Sequence, residues 1–317
     1  MANIRAAVIG AGYLGRFHAQ KWKVMPGCDL VAIADPTSTA RESVGAELGV
    51  EAVSDWRELL GRVDAVSIVT PTPLHHGIAR ACLEAGIHVL VEKPITTTVE
   101  EATDLIEVAE RVGRVLQVGH LERFNEAVRA IEGLVAAPRF IESSRLAPFK
   151  QRGTDVSVVL DLMIHDIDLI QSIVGSPIAD IDAIGTRVFS DDIDIANARI
   201  RFESGCVANV TASRVSLKTE RKLRIFDDER YVSVDLGQKV LTVIRKGGAP
   251  TKDGMPQVVI DERSYEQGDA LKAEIEAFAE SIRSGKPPLV GGREGRDALG
   301  TAIRIAQLVT ALGATPN

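Results

Sequence analysis

Over the first 120 residues, short continuous apolar runs alternate with segments of helical periodicity. The runs RAAVIGAG, CDLVAIAD, DAVSIVTP, HVLVEKP and RVLQVGH predict strands over 5–9, 28–35, 64–70, 88–92 and 114–119. Between them, apolar residues recur every three or four positions and predict helices near 13–25, 38–48, 74–86 and 98–111. Strands apolar on both faces and separated by helices imply a parallel sheet covered on both sides. Beyond about residue 122 the pattern changes. Helical stretches near 123–136 and 156–174 precede DIDAIGTRVF, DIDIANARIRF, CVANVTASRVS, RKLRIFDD, RYVSVDL and KVLTVIRK, which alternate with period two. That alternation predicts an open, mostly antiparallel sheet with one wet face. Residues 246–257 form a loop or hairpin tip, and helices near 268–284 and 293–312 close the chain. The expected architecture is a doubly wound α/β domain over 1–121 followed by an α+β domain over 122–317.

Composition narrows the functional classes. A chain of 317 residues, 45% hydrophobic and 26% charged, suits two ordinary globular domains. The net charge of −7 argues against a nucleic-acid-binding surface. No apolar stretch approaches the ~18 residues of a membrane span, and the N-terminus runs into a strand without signal-peptide layout. Cys28, Cys82 and Cys206 are scattered and odd in number, which points to a reducing cytoplasm. Two basic runs stand out: Arg145, Lys150 and Arg152, and Arg214, Lys218, Arg221, Lys222 and Arg224. Each is either a solvated face or a hold for an anionic small molecule.

Chemistry first appears at AVIGAGYLGRFHAQ, where Gly10, Gly12 and Gly15 follow the first strand in G-x-G-x-x-G spacing. Gly10 permits the tight turn, Gly12 lets a pyrophosphate approach the backbone, and Gly15 lets helix and strand pack closely. Tyr13 and Leu14 open the helix whose N-terminus faces the phosphates. Asp35, twenty residues after Gly15, ends the second strand, where its carboxylate would bond ribose hydroxyls and repel a 2′-phosphate. This is a Rossmann dinucleotide site that favours NAD over NADP, with Arg41 softening the preference. Thr70, Thr72 and His75 follow the strand at 64–70, either as a Pro-rich turn or as residues facing the cofactor. Glu92-Lys93-Pro94 ends the next strand at the same edge, where Lys93 is either simply exposed or close to the nicotinamide.

The stretch LDLMIHDIDLI, 160–170, places Asp161, His165 and Asp168 on one face of an amphipathic helix. That face is either simply wet or an active-site face. A metal held by these three would need more ligands than the pattern supplies, so no metal is expected.

Taken in order, GAGYLGRFHA, VTPTPLHHGIARACLEAGIHVLVEKP, QVGHLERFNEA, LDLMIHDIDLI, ALKAEIEAFAESIRSGKPP and GGREGRDAL resemble the Gfo/Idh/MocA oxidoreductases from end to end. The resemblance implies hydride transfer between a nicotinamide cofactor and a sugar or polyol carbon. It also implies a homo-oligomer, dimer or tetramer, built through the C-terminal sheet. By motif it makes Lys93, Asp161 and His165 the catalytic residues, with Glu92 and Lys93 beside the cofactor and the Glu-Lys-Pro peptide held in a fixed geometry that aims Lys93. His165 would take the hydroxyl proton, Lys93 would stabilise the alkoxide, and Asp161 would orient one of them. The glycine-rich lead-in common in the family is TDVSVV here. His120, Arg123 and Asn125 either shape the substrate site or pack between domains. Within the family the chain looks most like members that act on nucleotide sugars for lipid A-type amino-sugar synthesis, and Lys150 and Arg152 would suit the diphosphate. Free polyols of the inositol type are the alternative substrates. Loss of Lys93, Asp161 or His165 would mark a non-catalytic NAD(H) sensor, and all three are present.

Overall fold

The computed structural model of the chain describes residues 3–150, 156–248, 253–255, 257–265 and 268–313. The first of two compact units comprises Met1–Leu121 with Asp269–Leu299. It opens with β1 (Ile4–Ile9), α1 (Tyr13–Lys23), β2 (Cys28–Ala34), α2 (Ser38–Leu48) and β3 (Glu51–Val53). It continues through β4 (Ala65–Ile68), α3 (His75–Glu84), β5 (His88–Glu92), α4 (Val99–Val112) and β6 (Leu116–Gly119). Among the described residues the strands form a parallel six-stranded sheet in the order β3-β2-β1-β4-β5-β6. The order reverses between β1 and β4, and in such sheets ligands bind beyond the carboxyl ends of the strands at that point. Ala6, Ala7 and Val8 of β1 and Ala65, Val66 and Ile68 of β4 are fully buried, so the loops that follow them are held on a rigid base. Buried Trp22 donates from Nε1 to Ser67 Oγ at 2.8 Å, tying α1 to β4.

The second unit comprises Glu122–Gly268 with Gly300–Asn317. After the short α5 (Glu126–Arg129) come β7 (Phe140–Leu146) and α6 (Ile164–Val174). Then follow β8 (Ile178–Thr186), β9 (Ile195–Phe202), β10 (Val207–Ser213), β11 (Glu220–Phe226), β12 (Arg230–Asp235), β13 (Val240–Lys246) and β14 (Val258–Ser264). Among the described residues the sheet has eight strands in the order β14-β13-β12-β11-β7-β10-β9-β8. Its pairs are antiparallel except β7 with β10, which run parallel. Two helices end the chain, α7 (Ala270–Ser284) and α8 (Gly292–Gly313).

Three features differ from expectation. The helix expected near 123–136 is a 3-10 turn at Leu121–Phe124 followed by the four-residue α5, because the segment turns at Gly133 with φ +75°. The helix expected over 156–174 begins as a π-helical turn, Val159–Met163. The chain also divides not once but three times, since α7 returns to the first unit and lays Phe278 edge-on against Trp22, ring centroids 6.1 Å apart. Among the described residues no helix is long and apolar enough to cross a membrane. The three cysteines are free and buried, and burial pushes the Cys82 thiol up to about 12 and the Cys206 thiol up to about 11.

Candidate active site

The glycine loop after β1 is built as its spacing requires. Gly10 has φ +104°, and a Cβ there would lie 2.3 Å from the Val69 carbonyl oxygen. A Cβ on Gly15 would lie 1.9 Å from the Gly10 carbonyl oxygen, so helix and loop touch through it. Gly12 is the N-cap of α1, and a Cβ on it would meet nothing within 4 Å, so its free side is open. No side chain caps this helix end and no acidic residue occupies its first turn, which leaves its amides to an anion. Tyr13 is 69% exposed and packs edge-on against Phe17, while Leu14 is half-buried.

Beside the loop lies a cavity of about 860 Å³ whose wall includes Gly10, Gly12, Asp35, Trp56 and Thr70. Half-buried Asp35 accepts from the backbone N–H of Ala11 at 2.7 Å and of Thr37 at 2.8 Å. These bonds hold the carboxylate in place, and each oxygen keeps acceptor capacity for a ribose hydroxyl. Arg41 is tied to the carbonyls of Asp35 and Pro36 at 3.4 and 3.0 Å. The Thr70 hydroxyl is buried with no hydrogen-bond partner. An open helix terminus, an anchored carboxylate and an orphaned hydroxyl around one cavity fit a dinucleotide.

His75 is a correction to its expected place facing the cofactor. It is 1% exposed, and its ring nitrogens meet the carbonyl oxygens of Pro94 at 2.9 Å and Thr70 at 2.8 Å. Burial holds this imidazole below its usual range, outweighing the two carbonyls and the charge of Glu92. It is a strut between the β4 and β5 loops. Thr72 starts a 3-10 turn beside it.

Glu92 likewise turns inward. Its carboxylate, 12% exposed, meets His18 Nε2 at 3.1 Å and accepts from the Lys93 backbone N–H at 3.3 Å. Burial opposes its charge, yet the His18 hydrogen bond and the charges of His18 and Lys93 hold it below the usual carboxylate range. A Cβ on Gly119 would come within 3.0 Å of this carboxyl group, so β6 leaves room for it. Lys93 is half-buried, and its peptide bond to Pro94 is cis.

In the second unit the π-helical turn carries Asp161, and His165 stands in the first turn of α6. A π turn admits one extra residue and occurs often at functional sites. Here it leaves Asp161 and His165 half-buried while Met163 and Ile164 are fully buried. Val158 and Val159, where the altered lead-in enters the turn, are fully buried. Asp168 does not share the outward face: it is 3% exposed, with an oxygen 3.6 Å from Arg123. Its pairing with Arg123 goes with this inward placement.

The residues expected around the substrate divide. Arg145 is withdrawn from the basic run, 3% exposed, with Nε and Nη2 on Asp166 at 2.6 and 3.2 Å and Nη1 on Glu122 at 2.9 Å. Burial works against its charge, but Asp166 and Glu122 outweigh it and raise the guanidinium above its ordinary value. Lys150 is exposed, and Arg152 lies outside the described residues. Asn125 is a structural residue rather than a substrate contact: it caps α5 at the Ala127 N–H (3.1 Å) and donates to the Leu236 carbonyl (3.2 Å). His120 is 1% exposed, and its N–H donates to the Val118 carbonyl at 2.8 Å. Asp166, Glu122, His18 and Glu274 lie inside the motif stretches, but the motifs give them no role. Yet Glu274 stands on the apolar stripe Leu271, Ile275, Phe278, and His18 on the stripe Gly15, Ala19, Trp22. A charged residue at an apolar position was their signal.

Comparison with known proteins follows the same division. Residues 4–120 match the Gfo/Idh/MocA oxidoreductase family with NAD-binding Rossmann fold, and residues 127–232 match its C-terminal domain. The chain is 40% identical to a UDP-N-acetylglucosamine 3-dehydrogenase of Acidithiobacillus ferrooxidans, over 98% of this chain and 99% of that one. A solved structure of that enzyme superposes with a TM-score of 0.94 at 39% identity, covering 99% of this chain and 100% of the other. A scyllo-inositol 2-dehydrogenase (NAD(+)) of Bacillus subtilis is 30% identical over 91% of this chain and 89% of its own.

Proposed function

Because the chain belongs to the Gfo/Idh/MocA oxidoreductases, we propose that it oxidises the C3 hydroxyl of UDP-N-acetylglucosamine with NAD. The observation that carries this is its end-to-end likeness, in sequence and in fold, to the Acidithiobacillus enzyme. When bound, NAD supplies the acceptor for the two electrons of the substrate C–H bond. Gly10, Gly12 and the first amides of α1 hold the diphosphate, Asp35 holds the adenine ribose, and Thr70 donates its hydroxyl. The imidazole of His165 takes the substrate hydroxyl proton as the carbonyl forms. The ammonium of Lys93 stabilises the developing alkoxide. Asp161 orients one of these two groups. The product is a 3-keto nucleotide sugar, a ketone suited to amination on the way to the 2,3-diamino sugars of lipid A. Lys150 and Arg152 are the cations for the substrate diphosphate, since Arg145 is occupied.

That withdrawal favours a second reading, oxidation of a free polyol, because it leaves two cations of the basic run rather than three. We further assign the protein to the cytoplasm as a homo-oligomer, dimer or tetramer. The exposed polar residues of β8 and β9, among them Asp180, Asp182, Arg199 and Arg201, offer the open sheet face. The deciding experiment offers NAD with UDP-N-acetylglucosamine, UDP-glucose, myo-inositol or glucose and follows NADH with a carbonyl trap. Turnover is expected with UDP-N-acetylglucosamine and falls on the order of 10²–10⁴-fold in Lys93→Ala. Turnover with myo-inositol, unchanged in KM when Lys150 and Arg152 are neutralised, would replace the nucleotide sugar by the polyol.

A further inference from the structure

Behind the strand that ends in Glu92 lies a largely buried polar cluster. His18 from α1 and Glu274 from α7 are both 0% exposed, and Glu92 from β5 completes the group. One side-chain atom from each lies within 4.8 Å of the other two. Neither carboxyl oxygen of Glu274 has a hydrogen-bond partner in the structure, nor has His18 Nδ1. The backbone of Glu274 is fixed: its carbonyl accepts from Gln117 Nε2 at 3.0 Å, and Leu271, Ile275 and Phe278 bury the helix face around it. A buried carboxyl group without a partner is costly, and an ionised one far more so. A proton on Glu274 or a cation in the cluster would relieve the charge.

The surroundings favour the proton. Divalent cations take at least four ligands and commonly six or more, and this cluster offers three side chains, two of them fully buried. The titratable groups gathered with Glu274 are His18 from α1 and Glu92 from β5, and neutral Gln117 from β6 meets its backbone carbonyl. Burial first, and then the charge of Glu92, push the Glu274 carboxyl well above the usual carboxylate range.

We propose that Glu274 is a positioning residue for Lys93: its carboxyl group hydrogen-bonds Glu92, which, held between Glu274 and His18, fixes the backbone of Lys93. This rests on the role given to Lys93 above. No bond is made or broken. The proton stays between the two carboxyl groups, and Glu274 touches neither substrate nor cofactor.

The test compares wild type, Glu274→Gln, Glu274→Ala and Lys93→Ala for kcat and KM with UDP-N-acetylglucosamine, for NAD affinity by fluorescence, and for metal content. Glu274→Ala should lose kcat on the order of 10²-fold, the scale of a small misplacement of a catalytic group, with NAD affinity and KM near wild type. Glu274→Gln keeps a neutral donor and should restore kcat to near wild type. Because glutamine cannot ionise, the variant should also keep its kcat at alkaline pH where the wild type loses it.

Two measurements need no substrate. A protonated-carboxyl stretch in the infrared spectrum should be present in wild type and absent in Glu274→Gln. The melting temperature of wild type should fall behind that of Glu274→Gln as pH rises. The native state retains a proton that the unfolded chain releases above the ordinary glutamate range, so this contribution is lost as pH climbs towards the raised native value. Glu274→Gln as inactive as Glu274→Ala, or stoichiometric metal lost in both variants, would overturn the proposal in favour of a cation site. Wild-type kcat in Glu274→Ala with an inactive Lys93→Ala would overturn the positioning alone. An active Lys93→Ala would remove the catalytic role of Lys93 and the proposal with it.

Discussion

Two sets of buried polar groups, one in each unit, are held in opposite ways. In the second, Arg145 faces Asp166 and Glu122, and hydrogen bonds join it to both. Asp194 is equally well supplied: the amides of Val188, Phe189 and Ser190, the Ser190 hydroxyl and Arg214 Nε all donate to it. In the first unit Glu274, His18 Nδ1 and the Thr70 hydroxyl are buried with polar atoms left over. Satisfied charges specify a fold. Polar atoms left over are what a reaction, a cofactor or a shared proton makes use of. The difference teaches where substitution should affect stability and where it should affect function.

The largest effect should come from breaking the satisfied triad. Arg145→Met leaves two buried carboxylates facing each other and should cost about 3–5 kcal/mol, read from urea midpoints and slopes. Replacing Arg145, Asp166 and Glu122 together by apolar residues of similar volume should recover most of that loss, since the triad's attraction largely offsets its own desolvation. A triple variant as unstable as the single one would mean that Arg145 does more than balance charge.

Asp194 comes next. Burial opposes its charge, but the Ser190 hydroxyl and the amides of Phe189, Ser190 and Val188 outweigh it and hold the carboxyl well below the usual range. A lowered carboxylate stabilises the fold above its unfolded value, and that stability is lost as pH falls towards the native one. Asp194→Asn should therefore cost about 1.5–3 kcal/mol at neutral pH, and the gap to wild type should close below about pH 4. A gap independent of pH would assign the loss to shape rather than charge.

The same contrast explains how much could be read from the chain beforehand. The parallel sheet was legible because β1, β4 and β5 are continuously apolar and each is followed by a periodic helix. The glycine loop was legible because backbone geometry forces Gly10 and Gly15. Strand β7, in the interior of the second sheet, was not, because two of its three inward residues are Ser143 and Arg145. The buried ion pair erased the apolar alternation that marks a strand. Strand β14 failed for another reason: all seven residues are exposed. The π turn was hidden by apolar residues on several sides, Val158, Val159, Met163 and Ile164, which leave no phase for a periodicity to register. Asp161 and His165 were found by motif, whereas Asp168 was misplaced because its inward pairing with Arg123 leaves no mark in helical periodicity.

The smallest effect is the one that separates a leftover polar atom kept for function from one that is merely tolerated. Thr70→Val removes a buried hydroxyl that has no partner and keeps nearly the same volume. Were the hydroxyl part of a satisfied network, the change would cost about 0.5–1.5 kcal/mol of stability. Unpartnered in the protein alone, it should cost nothing or stabilise slightly, and urea denaturation without cofactor reads this directly. With NAD the sign reverses. Thr70 lines the cavity with Gly10 and Asp35, and losing one hydrogen bond to the cofactor should raise the Kd for NAD about tenfold, roughly 1.4 kcal/mol. Stability held and affinity lost would assign Thr70 to the cofactor. Both unchanged would make it an ordinary turn residue, and the cavity would then owe its selectivity to Asp35 and the glycine loop.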